Sequence, residues 1–192
     1  MESFGYDINE LIRELNRDYG INVNNRIIYL TGELYEELTL DDIIRRTDII
    51  QEYSKRANIN LPITWQISSY GGDVYEMFSI MDYMRLSPIL INTHVIGKAM
   101  SAAAMLSVYG TGIRSATKYS TLMFHESSSI KHGKVSDQKA NIKHEEALEE
   151  WVCEILAEKT KMSAKWWKTK QKTDLFFTPT EALDIGAIDK II

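Results

Sequence analysis

Apolar positions along the chain fall into two rhythms. Short apolar runs, RIIYLTGEL from Arg26, ITWQIS from Ile63, ILINTHVI from Ile89 and TLMFH from Thr121, have the spacing of strands. Between them, apolar residues recur every three or four positions, as helices require: Ile43, Ile44, Thr47 and Ile50, then Val74, Met77, Phe78 and Met81. Thr39 and Asp73 stand just before these stretches, where a short oxygen-bearing side chain can accept from first-turn N–H groups. The spacing therefore predicts a strand over Arg26–Leu30 closing at Gly32, a helix from Thr39 to near Ala57, and a helix from Asp73 stopped by Pro88. A glycine turn, SSYGGD, joins the second strand to the second helix, and a further helix surrounds Ser101. Strand, turn and helix thus repeat three times, which argues for an α/β layer with right-handed crossovers.

The flanks read differently. Asp7 and Glu10 make a capping box for a short helix to about Arg17, with Ile8, Leu11, Ile12 and Leu15 at helical spacing. Val135 to about Thr160 is one long polar-rich helix whose apolar stripe would be Ile142, Ala147, Trp151, Ile155 and Leu156. A shorter helix at 163–170 carries Trp166 and Trp167, read as packing against a neighbour. The tail TPTEALDIGAIDKII has a Thr cap, Pro at the first helical position, Glu for a capping box and Gly after the end. With no repeat, low-complexity stretch or linker-like break, the pattern predicts one domain with a projecting helix.

Composition narrows the function class. The 192 residues carry a net charge of −5, where a nucleic-acid or anionic-membrane surface would need excess Lys and Arg. MESFGYDINE lacks the basic and apolar regions of a signal peptide, and no run approaches a membrane span. The one cysteine, Cys153, cannot close an internal disulfide and reads as a packed thiol. A cytoplasmic setting follows as the expectation, with no nucleic-acid or membrane partner.

Chemistry is offered by few residues. Of the four histidines, His94 lies mid-strand and His132 and His144 lie among polar residues. No His-Glu-x-x-His spacing sets two imidazoles on one helical face, so no metal site is expected. His125 ends an apolar strand and opens the polar loop ESSSIKHGK, where a scaffold presents side chains to a cleft. Ser101 is the hydroxyl within IGKAMSAAAMLSVYG, read as sitting in the first turn of a helix after a strand ending at Ile96-Gly97. One reading is a helix serine bonding back to the preceding turn. The other is a nucleophile whose oxyanion would meet the helix dipole and free N–H groups, with small neighbours Ala99, Ala102 and Ala103 giving access. Gly71-Gly72 could likewise aim backbone N–H groups at a ligand.

Five of these segments, in order, resemble the proteolytic subunit of Clp proteases, serine peptidases of crotonase-like fold. RIIYLTGEL resembles the family's first strand, SSYGG its Ser-Pro-Gly-Gly loop and GKAMSAAAML its nucleophile segment. LMFHES is similar to its Met-Ile-His-Gln-Pro, and TDLFFTPTEALDIGAID to its ending. The resemblance covers about Arg26 to Ile192. It implies an α/β fold, a Clp-protease/crotonase-like repeated β-β-α spiral with a projecting handle helix. Its parts would be an atypical segment 1–24, a head 26–125, a handle region 131–173 and the C-terminal part of the head, 174–192. Carried over by position, Ser101 would be the nucleophile, His125 the general base, Asp174 the group that orients it, and Gly72 and Ala102 the oxyanion donors. No cofactor is implied. The implied substrate is an unfolded polypeptide or peptide. The implied assembly is a homo-oligomeric seven-membered ring whose handles interdigitate between stacked rings, served by an AAA+ unfoldase or joined by partner Clp subunits.

The chain also departs from the family. Tyr70 replaces the loop proline, Ala102 a methionine, and Lys172-Thr173 an acid–base pair that links rings. Thr64 and Gln66 stand where the family carries aromatics that dock the unfoldase. Two other readings compete: a catalytically weak ring subunit that modifies a partner Clp complex, and a crotonase-like acyl-CoA enzyme. The presence of Ser101, His125 and Asp174 argues against the first, and the serine–histidine pair against the second.

Overall fold

Alternation decides which side of each strand is buried, and the sheet follows from it. The computed structural model describes residues 12–14, 20–34, 38–128 and 132–192. Residues 12–14 are helical; the remainder of the helix expected over Asp7–Arg17 lies outside the described residues. β1 (Ile21–Asn22) pairs antiparallel with β2 (Ile27–Leu30), and β2, β3 (Ile63–Ser69) and β4 (Ile91–Met100) run parallel. In β3 every second residue, Ile63, Trp65, Ile67 and Ser69, is buried, and the residues between are half-buried. Thr64 and Gln66 are on that second face. The sheet continues through β5 (Arg114–Ala116) to β8 (Lys190–Ile191), both parallel.

The helices begin where the caps predict. Thr39 and Asp42 form a reciprocal capping box at α1 (Leu40–Arg56), with Asp41 and Asp42 in the first turn and Lys55 and Arg56 in the last, matching the helix dipole. Asp73 caps α2 (Val74–Leu86), accepting from the N–H groups of Tyr75 and Glu76. Burial of Met77, Ile80, Met81 and Met84 on α2 stabilises the layer by about 1.5–3 kcal/mol per side chain.

β4 outruns its expected end. Its first half pairs with β3 and β5, and Thr93, His94 and Val95 match Arg114, Ser115 and Ala116. Gly97, at φ 74°, then lets the strand change partner, and Lys98, Ala99 and Met100 pair with β6 (Thr121–Phe124). This second partner supplies backbone hydrogen bonds that the local pattern cannot reveal. Ser101 is therefore not in a helix's first turn; it is the junction between β4 and α3 (Ala102–Tyr109).

The last third of the chain folds back on this frame. α4 (Val135–Lys159) has 25 residues, about 38 Å at 1.5 Å per residue, and its first three turns are largely exposed. The expected stripe marks the buried face only toward the C-terminal end: Leu156 is buried and Ile155 half-buried against the core, while Ile142, Ala147 and Trp151 are exposed. Leu148 and Cys153, outside the stripe, are the other residues that bury. The second half of α4 meets the core; the first half touches the body at His144, stacked on Tyr75, and Trp151 packs edge-on against Phe78. α5 (Ala164–Lys170) buries Trp167 fully against Phe124 and Phe177, and the indole N–H donates to Thr160 Oγ1 at 3.0 Å. β7 (Leu175–Phe177) pairs antiparallel with β6, and α6 (Pro179–Asp184) opens with the Thr178–Glu181 capping box. Arg114 grips Asp189 through Nη2 to Oδ1 at 2.6 Å and Nε to Oδ2 at 3.2 Å, tying down the start of β8.

Candidate active site

The two halves of β4 converge on one corner. Ser101 sits there at φ 53°, ψ −126°, a conformation that a residue with a side chain rarely adopts. Its N–H donates to Met123 O at 2.8 Å and its carbonyl accepts from Met105 N at 3.1 Å, so sheet and helix hold the strain from both sides. The turn projects Oγ away from the helix rather than back onto it. No side-chain cap bond forms, and Oγ lies 2.8 Å from His125 Nε2.

His125 arrives from the strand that changed β4's pairing. β6 ends at Phe124, so His125 is the first residue free of the ladder. Antiparallel register does the rest: Phe124 pairs with Leu175, which sets the next residues outward, His125 and Asp174, side by side. Asp174 Oδ1 is 3.7 Å from His125 Nδ1, and its side chain is 60% exposed against 28% for His125. That separation is an ion-pair distance, longer than a hydrogen bond.

The glycines complete the corner. A Cβ on Gly71 would fall 2.6 Å from Met100 O and 2.9 Å from Ala102 N, and one on Gly72 would fall 2.1 Å from Leu34 O. Both also have positive φ, 104° and 146°, so only glycine lets this loop pass so close to the nucleophile strand. The ladder to Leu34 uses the carbonyl of Gly71 and the N–H of Asp73 and leaves out the N–H of Gly72. Ala102 is the first residue of α3, where an N–H has no partner within the helix. Gly72 and Ala102 both line the cavity beside Ser101.

Beside the serine is a cavity of about 60 Å³. Val74, Met77, Met105, Leu148 and Val152 give it apolar walls, and Ser127, Glu149 and Gln171 also line it. Sequence reasoning did not single out these last three. They are separated by 22 residues at each step, and only the return of α4 against the His125 loop brings them together. Glu149 Oε1 accepts from the Ser127 N–H at 2.5 Å and from the Ser127 hydroxyl, and Oε2 accepts from Gln171 Nε2 at 3.0 Å. The backbone carbonyl of Gln171 accepts from Glu126 N at 2.7 Å. The loop after His125 and the segment before Asp174 are therefore laced together.

The remaining candidates lie elsewhere. His94 is mid-strand with Nδ1 2.9 Å from Ser115 Oγ, and burial, helped by the charge of Lys190, lowers its pKa. His132 is exposed. His144, also exposed, stacks on Tyr75, and Nε2 is 3.0 Å from the phenol oxygen. Cys153 is buried, and burial pushes its thiol pKa up, which keeps it neutral and unreactive. Among the described residues no helix is long and apolar enough to cross a membrane.

A serine hydroxyl against a histidine nitrogen can pass its proton to that nitrogen and attack as a nucleophile. The Clp protease family model matches residues 12–192. The chain is also 29% identical over 175 residues to the ATP-dependent Clp protease proteolytic subunit 2 of Synechococcus sp. (strain CC9605), covering 91% of this chain and 86% of that protein. With a mixed α/β fold and a family match over nearly its whole length, the chain belongs to the Clp protease family.

Proposed function

We propose that this protein is a serine endopeptidase that hydrolyses unfolded polypeptides and peptides through Ser101, His125 and Asp174. The observation that carries the reading is the 2.8 Å approach of Ser101 Oγ to His125 Nε2 at a strained strand-to-helix corner. In the first step Nε2 takes the hydroxyl proton as Oγ attacks the peptide carbonyl carbon. The carbonyl oxygen becomes an oxyanion, which the N–H groups of Gly72 and Ala102 stabilise by about 2.7–4 kcal/mol each. The imidazolium then protonates the leaving amine, and the acyl-enzyme is hydrolysed by the same steps with water as nucleophile. Asp174 holds the imidazole tautomer and stabilises its cation, and it must close the 3.7 Å gap to donate full orientation. No cofactor takes part.

The chain works as one peptidase domain in the cytoplasm, within a ring-shaped homo-oligomer of seven subunits. The Synechococcus relative, a proteolytic subunit of an ATP-dependent protease, supports the idea of an ATP-driven partner. Thr64 and Gln66, half-buried and polar, would dock the apolar side chains of an AAA+ unfoldase weakly. Subunits of a mixed ring could supply the missing pockets.

The test is hydrolysis of small fluorogenic peptides by the parent protein and by Ser101→Ala. The substitution leaves no sizeable cavity, so folding should be kept. Activity should vanish in the variant; parent-level activity would put the nucleophile elsewhere. The exposed, 3.7 Å placement of Asp174 favours a second reading, a catalytically weak ring subunit. That reading gains if the parent protein alone is inactive yet changes the rate of a partner Clp complex.

A further inference from the structure

We infer that the cavity beside Ser101 selects a lysine-like side chain at the residue whose carbonyl is attacked, its ammonium held by the Glu149 carboxylate. This rests on Ser101 being the nucleophile. The hydrogen-bond inventory of the cavity carries it. Ser127 gives both its N–H and its hydroxyl to Glu149 Oε1. The Gln171 side-chain amide gives its two hydrogens to Glu149 Oε2 at 3.0 Å and to Cys153 Sγ at 3.3 Å. The donors of this network are therefore spent.

Its carboxylate is not. A carboxylate offers about four lone-pair sites, and Glu149 receives three hydrogens. Gln171 Oε1, buried with no hydrogen-bond partner among the described residues, is closed off from the cavity. Turning the amide over would not cure this, because Oε1 would then face the Glu149 carboxylate. Among the described residues no lysine or arginine pairs with Glu149. The polar part of the cavity can accept hydrogen bonds and cannot give them.

The walls and the size refine the choice. Met77, Met105, Leu148 and Val152 favour an apolar stem. A volume of about 60 Å³ holds about four to six water-sized groups at roughly 10–15 Å³ each. A lysine side chain has five non-hydrogen atoms; aromatic side chains and arginine have more. Leucine would suit the walls but would strip water from the Glu149 carboxylate and leave its open site unpaired. An acidic side chain would meet the Glu149 charge and find no donor.

The experiment compares two peptide–coumarin substrates that differ only at the residue before the coumarin, lysine in one and norleucine in the other. Norleucine keeps the apolar stem and omits the ammonium. The parent protein should cleave the lysine peptide with a kcat/KM roughly 10- to 100-fold higher, the range of a hydrogen bond to a charged group. Glu149→Gln should bring the ratio close to one. A parent ratio of one or less overturns the inference and leaves the Ser101 reading standing. A ratio unchanged in a folded Glu149→Gln variant also overturns it. If that variant does not fold, the parent ratio alone decides. Cleavage of neither peptide by the parent protein overturns both the Ser101 reading and the inference built on it.

Discussion

The nucleophile and the aspartate stand on two unlike supports. Ser101 is clamped between a sheet strand and a buried helix: its N–H and carbonyl are bonded, Ala99 and Ala103 beside it are at most 1% exposed, and Gly71 presses against the turn. Asp174 sits just before a three-residue strand, 60% exposed, and reaches His125 only at 3.7 Å. The serine half is built into the core by local chain geometry. The aspartate half is delivered by a C-terminal segment whose position depends on α5, the Gln171–Glu126 backbone bond and the Arg114–Asp189 grip. Strain at Ser101 is tolerable because neighbouring groups over-determine it, while the carboxylate can shift without disturbing any buried residue. The peptidase should therefore depend steeply on the first half and more gently on the second.

The largest effect tests the first half. Ser101→Ala and His125→Ala should each lower kcat by roughly 10⁴- to 10⁶-fold, and the double variant should be little worse than either, since the two act as one unit. Losses that multiply in the double variant would show two independent contributions, and the 2.8 Å contact would then be incidental. Asp174→Asn comes next. It should cost about two powers of ten less than Ser101→Ala, the pattern expected of an orienting carboxylate. Equal losses in the two steady-state assays would erase the contrast between the supports.

Gly72→Ala probes the backbone donor. A Cβ 2.1 Å from Leu34 O at a φ of 146° must push the loop aside, so one oxyanion hydrogen bond is lost. A fall in kcat of roughly 10²- to 10³-fold is expected, with KM changed much less. A fall in binding alone would remove Gly72 from the oxyanion site.

The smallest effect concerns the anchor of the C-terminal half. Burial alone would raise the pKa of Asp189, but hydrogen bonds and charge from Arg114 outweigh it and hold the carboxyl below its ordinary value. A depressed folded-state pKa contributes stability that is complete above the unfolded value of about 3.9 and is lost as pH falls through the folded value. Asp189→Asn should therefore lower stability by at most about 1 kcal/mol at pH 7, given that the Asp189 side chain is 42% exposed. Urea unfolding should find that difference shrinking as pH falls below about 3.9 and gone below the folded-state pKa. A gap that persists in acid would mean that shape, and not charge, makes the anchor.

What could be read from the sequence was local. Thr39, Asp73 and Thr178 each start a helix because a cap acts within four residues, and all three caps form. The strands β5, β7 and β8 have two or three residues and no periodic signal; distant partners create them, while the two-residue β1 exists only as the short arm of a hairpin with β2. The same holds for β4 beyond Gly97, which is why Ser101 falls at a junction and not in a helix. The stripe on α4 held at Ile155 and Leu156 and failed nearer the N-terminus, because a period reports which residues share a face, not how far that face meets the core. In the site, Ser101 and His125 stood out as residues out of keeping with their surroundings, while Asp174 came only through family resemblance. Ser127, Glu149 and Gln171 carried no signal at all, since each is an ordinary polar residue until the chain folds back upon the cavity.

The central claim is that one hydroxyl, Ser101 Oγ, is activated by His125. Treatment with a fluorophosphonate, followed by mass spectrometric mapping of the modified peptide, tests it directly, because phosphonylation requires a nucleophilic oxygen and no peptide recognition. A single adduct is expected, on Ser101, forming much more slowly in His125→Ala and at an intermediate rate in Asp174→Asn. No adduct on the folded parent protein, or an adduct on any other residue, would contradict it.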